Sequence, residues 1–308
     1  MSKSTPPDDG AAASRDGGAA AAVRGVGVRA RRRPGTIVGV WLFELGCAYV
    51  LATPVYAWAR AVWGGHPDGD AVLFRPGALA LMEWLNADGP TLAIVLRTTL
   101  VLFVVFGLAS QVVFGAVVAS LVSAKPRPGA ALRVGLSAFF PLLAVALLAA
   151  LLEGFFLGVG YYLSSSLDHA MQRTYGDQRA FVARLVVFGS FFVLVLAAGV
   201  LGDLAKVALA RDVALGETKR PITNAILSAL RVARTRPAAA GLGWAWRAGV
   251  ALWLVGTGAT LNDWEASRSG NVIWLLFAAH QTLLLGRAAL RTSWLAHATR
   301  LTADAPRS

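Results

Sequence analysis

The sequence predicts an all-α fold, a polytopic transmembrane helix bundle of about six spans with two short interfacial helices. Three observations carry that reading. Of 308 residues, 56% are apolar and only 15% charged, with a mean hydropathy of +0.59, whereas soluble domains run near a quarter charged. The charges crowd into the first 35 residues, a few connecting segments and the C-terminal part. Between them lie runs long enough to cross the roughly 30 Å hydrocarbon core, which takes about 20 apolar residues. Finally, Lys and Arg fall unequally on alternate connections.

Residues 1–35 are rich in Ala, Gly, Asp and Ser and show no apolar periodicity, so they read as a disordered basic tail. The tail closes on Arg29, Arg31, Arg32, Arg33 and Pro34. The run that follows, 36–58, is too long for the apolar region of a signal peptide and no small-residue cleavage site follows it, so it is expected to be an uncleaved first span. Five further runs, 91–122, 134–163, 181–208, 238–261 and 271–295, complete a transmembrane domain over 36–298, with 299–308 as a C-terminal tail. Gly115 with Ala119, Gly154 with Gly158 and Ala198 with Gly202 are spaced to let helix backbones approach.

Two helices are too short to span. Pro76 opens one, with Ala78, Leu81, Met82 and Leu85 on one face. The other, Pro221–Thr235, groups Ile222, Ile226, Ala229, Leu230 and Ala233, bordered by Lys219, Arg220, Arg231, Arg234 and Arg236. A basic amphipathic helix of that length is expected to lie along the membrane surface with Arg231, Arg234 and Arg236 toward anionic lipid head groups. The plainer reading is a connector that packs on the bundle.

Orientation follows from the basic residues. Twenty-one Lys and Arg fall on the side of the N-terminal tail, the 123–133 loop, the 206–236 stretch and the C-terminus, against seven on the other side. The positive-inside rule then places both termini in the cytoplasm of a bacterial inner membrane protein. The aromatics agree, with Trp58, Trp63, Tyr161, Tyr162, Trp264 and Trp274 at one interface and Trp41, Trp244 and Trp294 at the other. The same rule accounts for the net charge of +12 without nucleic acid, since no soluble domain is left to carry such a function.

No phosphate loop, dinucleotide fingerprint, zinc-protease helix or serine elbow is present, so no catalytic, cofactor-binding or metal-ligating residue is expected and the chain reads as non-enzymatic. His66, His169, His280 and His297 lack metal-ligand spacing, and the lone Cys47 sits in an apolar run as an inert core thiol. What stands out is ionisable residues within spans, where a charge costs about 2.5–3.5 kcal/mol even on the lenient insertion scale. An inner set comprises Glu44, Asp203, Arg247, His280 and Arg287, with Lys206 and Arg291 nearby; an outer set comprises Arg97, Glu153 and Arg184. Matching depths pairs Glu44 and Asp203 with Arg247 and Arg287, and Glu153 with Arg97 and Arg184. Such a cluster is either a polar pathway for protons or an anionic solute, or a set of ion pairs that fixes which helices touch.

The stretches DLAKVALARD (Asp203 to Asp212) and AILSALRVARTRP (Ala225 to Pro237), with the segment after GHPDGDAVLF (Gly65 to Phe74), resemble uncharacterised six-span bacterial membrane proteins. These are similar to the membrane domain that accompanies some glycerophosphodiester phosphodiesterases. The resemblance covers most of 36–300, and the phosphodiesterase catalytic domain has no counterpart in it, so it implies no hydrolase activity. The expected role is a membrane component that associates with anionic lipids or a protein partner; the alternative is a small transporter or permease subunit using the inner cluster. Reporter fusions after residues 128, 215 and 305 are expected to be cytoplasmic and those near 68, 172 and 266 external. A cytoplasmic signal at residue 172 would overturn the six-span topology.

Overall fold

The computed structural model describes residues 33–63, 89–125, 127–216, 221–262 and 270–304. The tail 1–32, the helix expected after Pro76, and His66, Lys219, Arg220 and Trp264 lie outside the described residues. Eight helices and no strand are found among those described: α1 (Pro34–Trp63), α2 (Gly89–Val122), α3 (Pro128–Ser137), α4 (Phe139–Tyr175), α5 (Asp177–Ala214), α6 (Pro221–Thr235), α7 (Pro237–Asn262) and α8 (Gly270–Ala303). Proline opens α1, α3, α6 and α7, where its missing N–H is unneeded and its fixed φ suits the first turn.

Helices form at all six apolar runs. Five of them, α1, α2, α4, α5 and α7, are long and apolar enough to cross a membrane, as a multi-pass membrane protein requires. The sixth, α8, has the length but is not among those five. His280, Gln281, Arg287, Arg291, His297 and Arg300 dilute its apolar character. It also continues through Ala303, so Thr299 and Thr302 are buried helical residues rather than part of a tail.

The run expected over 134–163 is divided. A ten-residue α3 precedes α4, and the break falls at Ala138. Pro141 explains the position, because it lacks the N–H that would bond to the carbonyl of Ser137, while Ala138 and Leu142 keep their bonds to Val134 and Ala138.

The described residues form two compact units. One comprises Arg33, Phe114–Gly249 and the residues from Arg291 onward; the other comprises Pro34–Val113 and Val250–Leu290. In the first, α4 and α5 form an antiparallel hairpin turned at Gly176, whose φ of 81° favours glycine. Ala149 faces Gly202, Glu153 faces Gly199, Gly160 faces Phe191 and Asp168 meets Arg184, so the pairs advance in step along the two helices. A Cβ on Gly202 would lie 2.7 Å from that of Ala149, and one on Gly160 would lie 2.5 Å from that of Phe191. Of the expected small-residue positions, Gly202 and Gly115 make close approaches, the latter to Gly135, whereas Gly154 and Gly158 face open space. Helix α6 packs on α5. In the second unit, α7 and α8 run antiparallel, with Gly286 against Leu254 and Gly258 against Leu283.

Most large side chains of the apolar helices point outward, including Phe103 on α2, Leu151 on α4 at 73% exposure and Leu252 on α7 at 76%. Surfaces of that kind are stable in lipid, where every backbone polar group must be bonded within the helix. Gly202→Ala is expected to lower the unfolding midpoint of the detergent-solubilised protein, at a cost of about 1–3 kcal/mol from overpacking. Gly154→Ala, with nothing within 4 Å of the new methyl, is expected to be neutral or mildly stabilising. Equal losses in the two variants would show that the hairpin is not held by glycine notches.

Candidate functional site

The ionisable residues picked out by the sequence fall in both compact units. Asp203, Arg247, Glu153 and Arg184 belong to the first unit, and Glu44, His280, Arg287 and Arg97 to the second.

In the first unit a polar seam is built where α5, α7 and α8 meet. One Asp203 carboxylate oxygen lies 2.9 Å from the Lys206 ammonium, three residues on along the same helix face. Its other oxygen accepts a hydrogen bond from Trp294 Nε1 at 3.2 Å. The ammonium also stands 5.4 Å from the centre of the Phe114 ring, a cation–π distance. Trp294, expected among the interfacial aromatics, is buried instead, and its indole N–H has the carboxylate as partner. Asp203 is therefore satisfied by Lys206 and Trp294, not by Arg247. Depth along a span says nothing about which face a side chain is on, and the cation one turn away is the nearer one.

Arg247 donates to Ser293 Oγ at 3.2 Å and to the carbonyl of Gly243, and its guanidinium stacks 4.5 Å from the centre of the Trp246 ring. These are neutral partners, so its charge is solvated by dipoles and by an aromatic face rather than by a carboxylate. One turn further on α8, His297 Nε2 bonds to the carbonyl of Ala239 at 3.2 Å and lies 2.8 Å from the place a Gly243 Cβ would occupy. Glycine at 243 thus admits the ring. His297 lies beyond the apolar run of α8, and its pKa is pushed below the ordinary imidazole value, first by burial and then by the nearby Arg247 and Arg300 charges, against the opposing effect of Ala239. At the base of the seam Arg236, between α6 and α7, meets Asp304 at 3.6 Å.

The outer set is also rearranged. Arg184 pairs with Asp168 at 3.5 Å, across the hairpin, and not with Glu153. Glu153 is half-buried with one carboxylate oxygen against Gly199, and no hydrogen-bond or ion-pair partner occurs among the described residues. Asp168 lay outside the outer set expected from the sequence; the tight turn at Gly176, which folds α5 back along α4, is what brings it to Arg184.

In the second unit Glu44 is half-buried and engaged, while Arg97 and Arg287 are exposed. The His280 ring nitrogens face the carbonyls of Leu276 at 2.8 Å and Gly258 at 3.0 Å. A neutral imidazole has one N–H to share between two such acceptors.

A further buried pair went unforeseen. Arg211 donates from Nε and Nη2 to one oxygen of Asp212, at 3.0 and 2.6 Å, in the last turn of α5, and both residues are buried. The pattern Arg-Asp at the end of an apolar run was the available signal.

Comparison with known protein families, with curated proteins and with solved structures gives no match for this chain.

The seam makes a direct expectation. With the Lys206 and Asp203 side chains 20% and 28% exposed, Asp203→Asn or Lys206→Gln alone is expected to cost about 1–2 kcal/mol, between surface and buried ion pairs. The double variant should lose less than the two single losses together, read as a coupling energy from thermal unfolding in detergent. Strict additivity would remove the ion pair as a determinant of the seam.

Proposed function

We propose that the chain is a non-enzymatic integral protein of a bacterial inner membrane, with six spans and both termini in the cytoplasm, that associates with anionic lipid head groups through α6. The observation that carries this reading is the way α6 is used. It is 15 residues long, about 22 Å, too short to cross the hydrocarbon core. Only one stripe, Ala225, Ala229 and Val232, is buried against the bundle. The face expected from the sequence is therefore rotated: Ile222 and Leu230 are exposed, as is Leu227, and Ile226 is half-buried. Around the helix this exposed apolar edge continues into Arg234 and Arg231. Helix α6 thus has two apolar sides, one for the protein and one rimmed by arginines, which suits the boundary between acyl chains and anionic head groups.

The twenty-one to seven distribution of basic residues supports the orientation. The inner seam favours this reading over a transport path: Asp203 is satisfied by Lys206 and Trp294, and Arg247 by Ser293, Gly243 and Trp246. Of these contacts, Trp294 to Asp203 and Arg247 to Ser293 cross between helices and fix them against one another. A peptide spanning 219–237 is expected to bind vesicles containing phosphatidylglycerol. Arg231→Gln, Arg234→Gln and Arg236→Gln should each weaken that binding by about 1 kcal/mol. Equal binding to neutral and anionic vesicles would reduce α6 to a packed connector.

A further inference from the structure

A cavity of about 270 Å³ opens in the first unit between the end of α2, the start of α3 and the end of α5. Its walls combine Lys125 and Arg127 with Ser123 and with small apolar side chains such as Ala130, Ala214 and Leu215. No carboxylate is among the residues that line it. Concave sites lined by one sign of charge concentrate the field and attract counter-ions.

Two groups next to the cavity have unmet donor capacity of the same sign. Arg33 donates to the carbonyl of Ser123, a wall residue, through Nη2, and its buried Nη1 has no hydrogen-bond partner among the described residues. Arg211 stands three and four residues before Ala214 and Leu215, on the same face of α5. Its side chain is 5% exposed, its Nε and Nη2 are taken by Asp212, and its buried Nη1 likewise has no partner among the described residues. Buried guanidinium donors without acceptors are rare in folded proteins. Helix α3 adds its own N-terminus: Arg127 is the N-cap, no side chain caps it and no acidic residue lies in its first turn. The N–H groups of Gly129 and Ala130 therefore have no intrahelical acceptor and carry the positive end of the helix dipole.

The geometry points to a phosphate-binding site at this cavity, filled by the head group of an anionic glycerophospholipid. Two exposed cations in the wall and a helix N-terminus, with the guanidinium groups of Arg33 and Arg211 adjoining wall residues, are the groups that recognise a phosphodiester anion. The volume falls below the roughly 300 Å³ at which pockets for drug-sized ligands begin, room for a head group but not for a whole lipid or a nucleotide. The small apolar walls suit the glycerol and the first methylenes of the chains. This site deepens the lipid-association reading and rests on it only for the source of the phosphate, since its residues are separate from the α6 arginines.

The test uses the full chain in a neutral detergent, titrated with phosphatidylglycerol, phosphatidylcholine, glycerol 3-phosphate and inorganic phosphate, with bound molecules counted by native mass spectrometry. Phosphatidylglycerol is expected to be retained in preference to phosphatidylcholine. Lys125→Gln or Arg127→Gln should each lower its affinity about fivefold, and the pair about thirtyfold. Ala130→Leu, which fills the cavity without changing its charge, should lower it as well and serves as an independent variant. Replacing the three α6 arginines with Gln should leave this retention in place, which separates failure of the cavity from failure of the α6 reading. Equal retention of the two lipids, or wild-type retention in both the charge and the cavity-filling variants, overturns the site. Competition by glycerol 3-phosphate or inorganic phosphate at equal concentration would overturn the lipid as the carrier of the phosphate.

Discussion

When the outer surfaces of helices are as apolar as the medium they suit, burying one against another gains little, and something else must decide which helices touch. In the α4–α5 hairpin that role falls to surface relief. Gly202 and Gly160 are notches into which Ala149 and Phe191 fit, at separations no Cβ would permit. The turn at Gly176 then makes α5 the mirror course of α4. Helix α6 lays its Ala225, Ala229 and Val232 stripe on this hairpin. The seam to α7 and α8 adds hydrogen bonds where glycine at 243 lets His297 approach. Dispersion contacts set the distances between these helices, and polar contacts set their rotation about their own axes.

The polar groups of the first unit divide into two kinds. Asp203 with Lys206 on its own helix and with Trp294 on the next, Arg247 with Ser293, and Asp168 with Arg184 are matched locally. The groups around the end of α5 are not matched in the same way. Arg33 and Arg211 each retain an idle buried nitrogen, and Lys125 and Arg127 are exposed cations beside a concave surface that carries no carboxylate. That end of the first unit carries a surplus of donors, and this surplus is the feature on which the proposed anion site rests.

The fold was legible where it depends on length and composition. Apolar runs separated by charged or proline-bearing segments mark helices whatever their neighbours, and Pro221–Thr235 emerged with the boundaries its amphipathic pattern and flanking prolines define. Partners were not legible. Asp203 and Arg247 lie at similar depths, but in a helix with apolar residues on all sides periodicity does not reveal which face is inward, so the bond to Trp294 needed coordinates, whereas Lys206 is three residues on along the same face in the sequence itself. The same blindness rotated the packed face of α6 from Ile222 and Leu230 to Val232, because lipid and protein both accept aliphatic side chains. The break at Ala138 was readable in principle from Pro141, a proline four residues past the carbonyl it deprives of a donor. The cavity beside α3 follows from that break and from the helix it sets apart, so it too lay beyond reach of the run of apolar residues alone.

The two ion pairs of the hairpin have a spacing that matters beyond packing. Arg184 and Asp203 are nineteen residues apart along α5, about 28 Å at 1.5 Å per residue, close to the roughly 30 Å of bilayer hydrocarbon. Asp168 accompanies Arg184 at one mark and Lys206 accompanies Asp203 at the other. The hairpin is thus graduated like a ruler, with charge at both marks and between them only the half-buried Glu153. Because the glycine notches interlock, neither helix can slide along the other to adjust that length. A membrane a few ångström thinner is met by tilting the pair as one rigid body, so bilayer thickness becomes an input that this part of the molecule converts into angle.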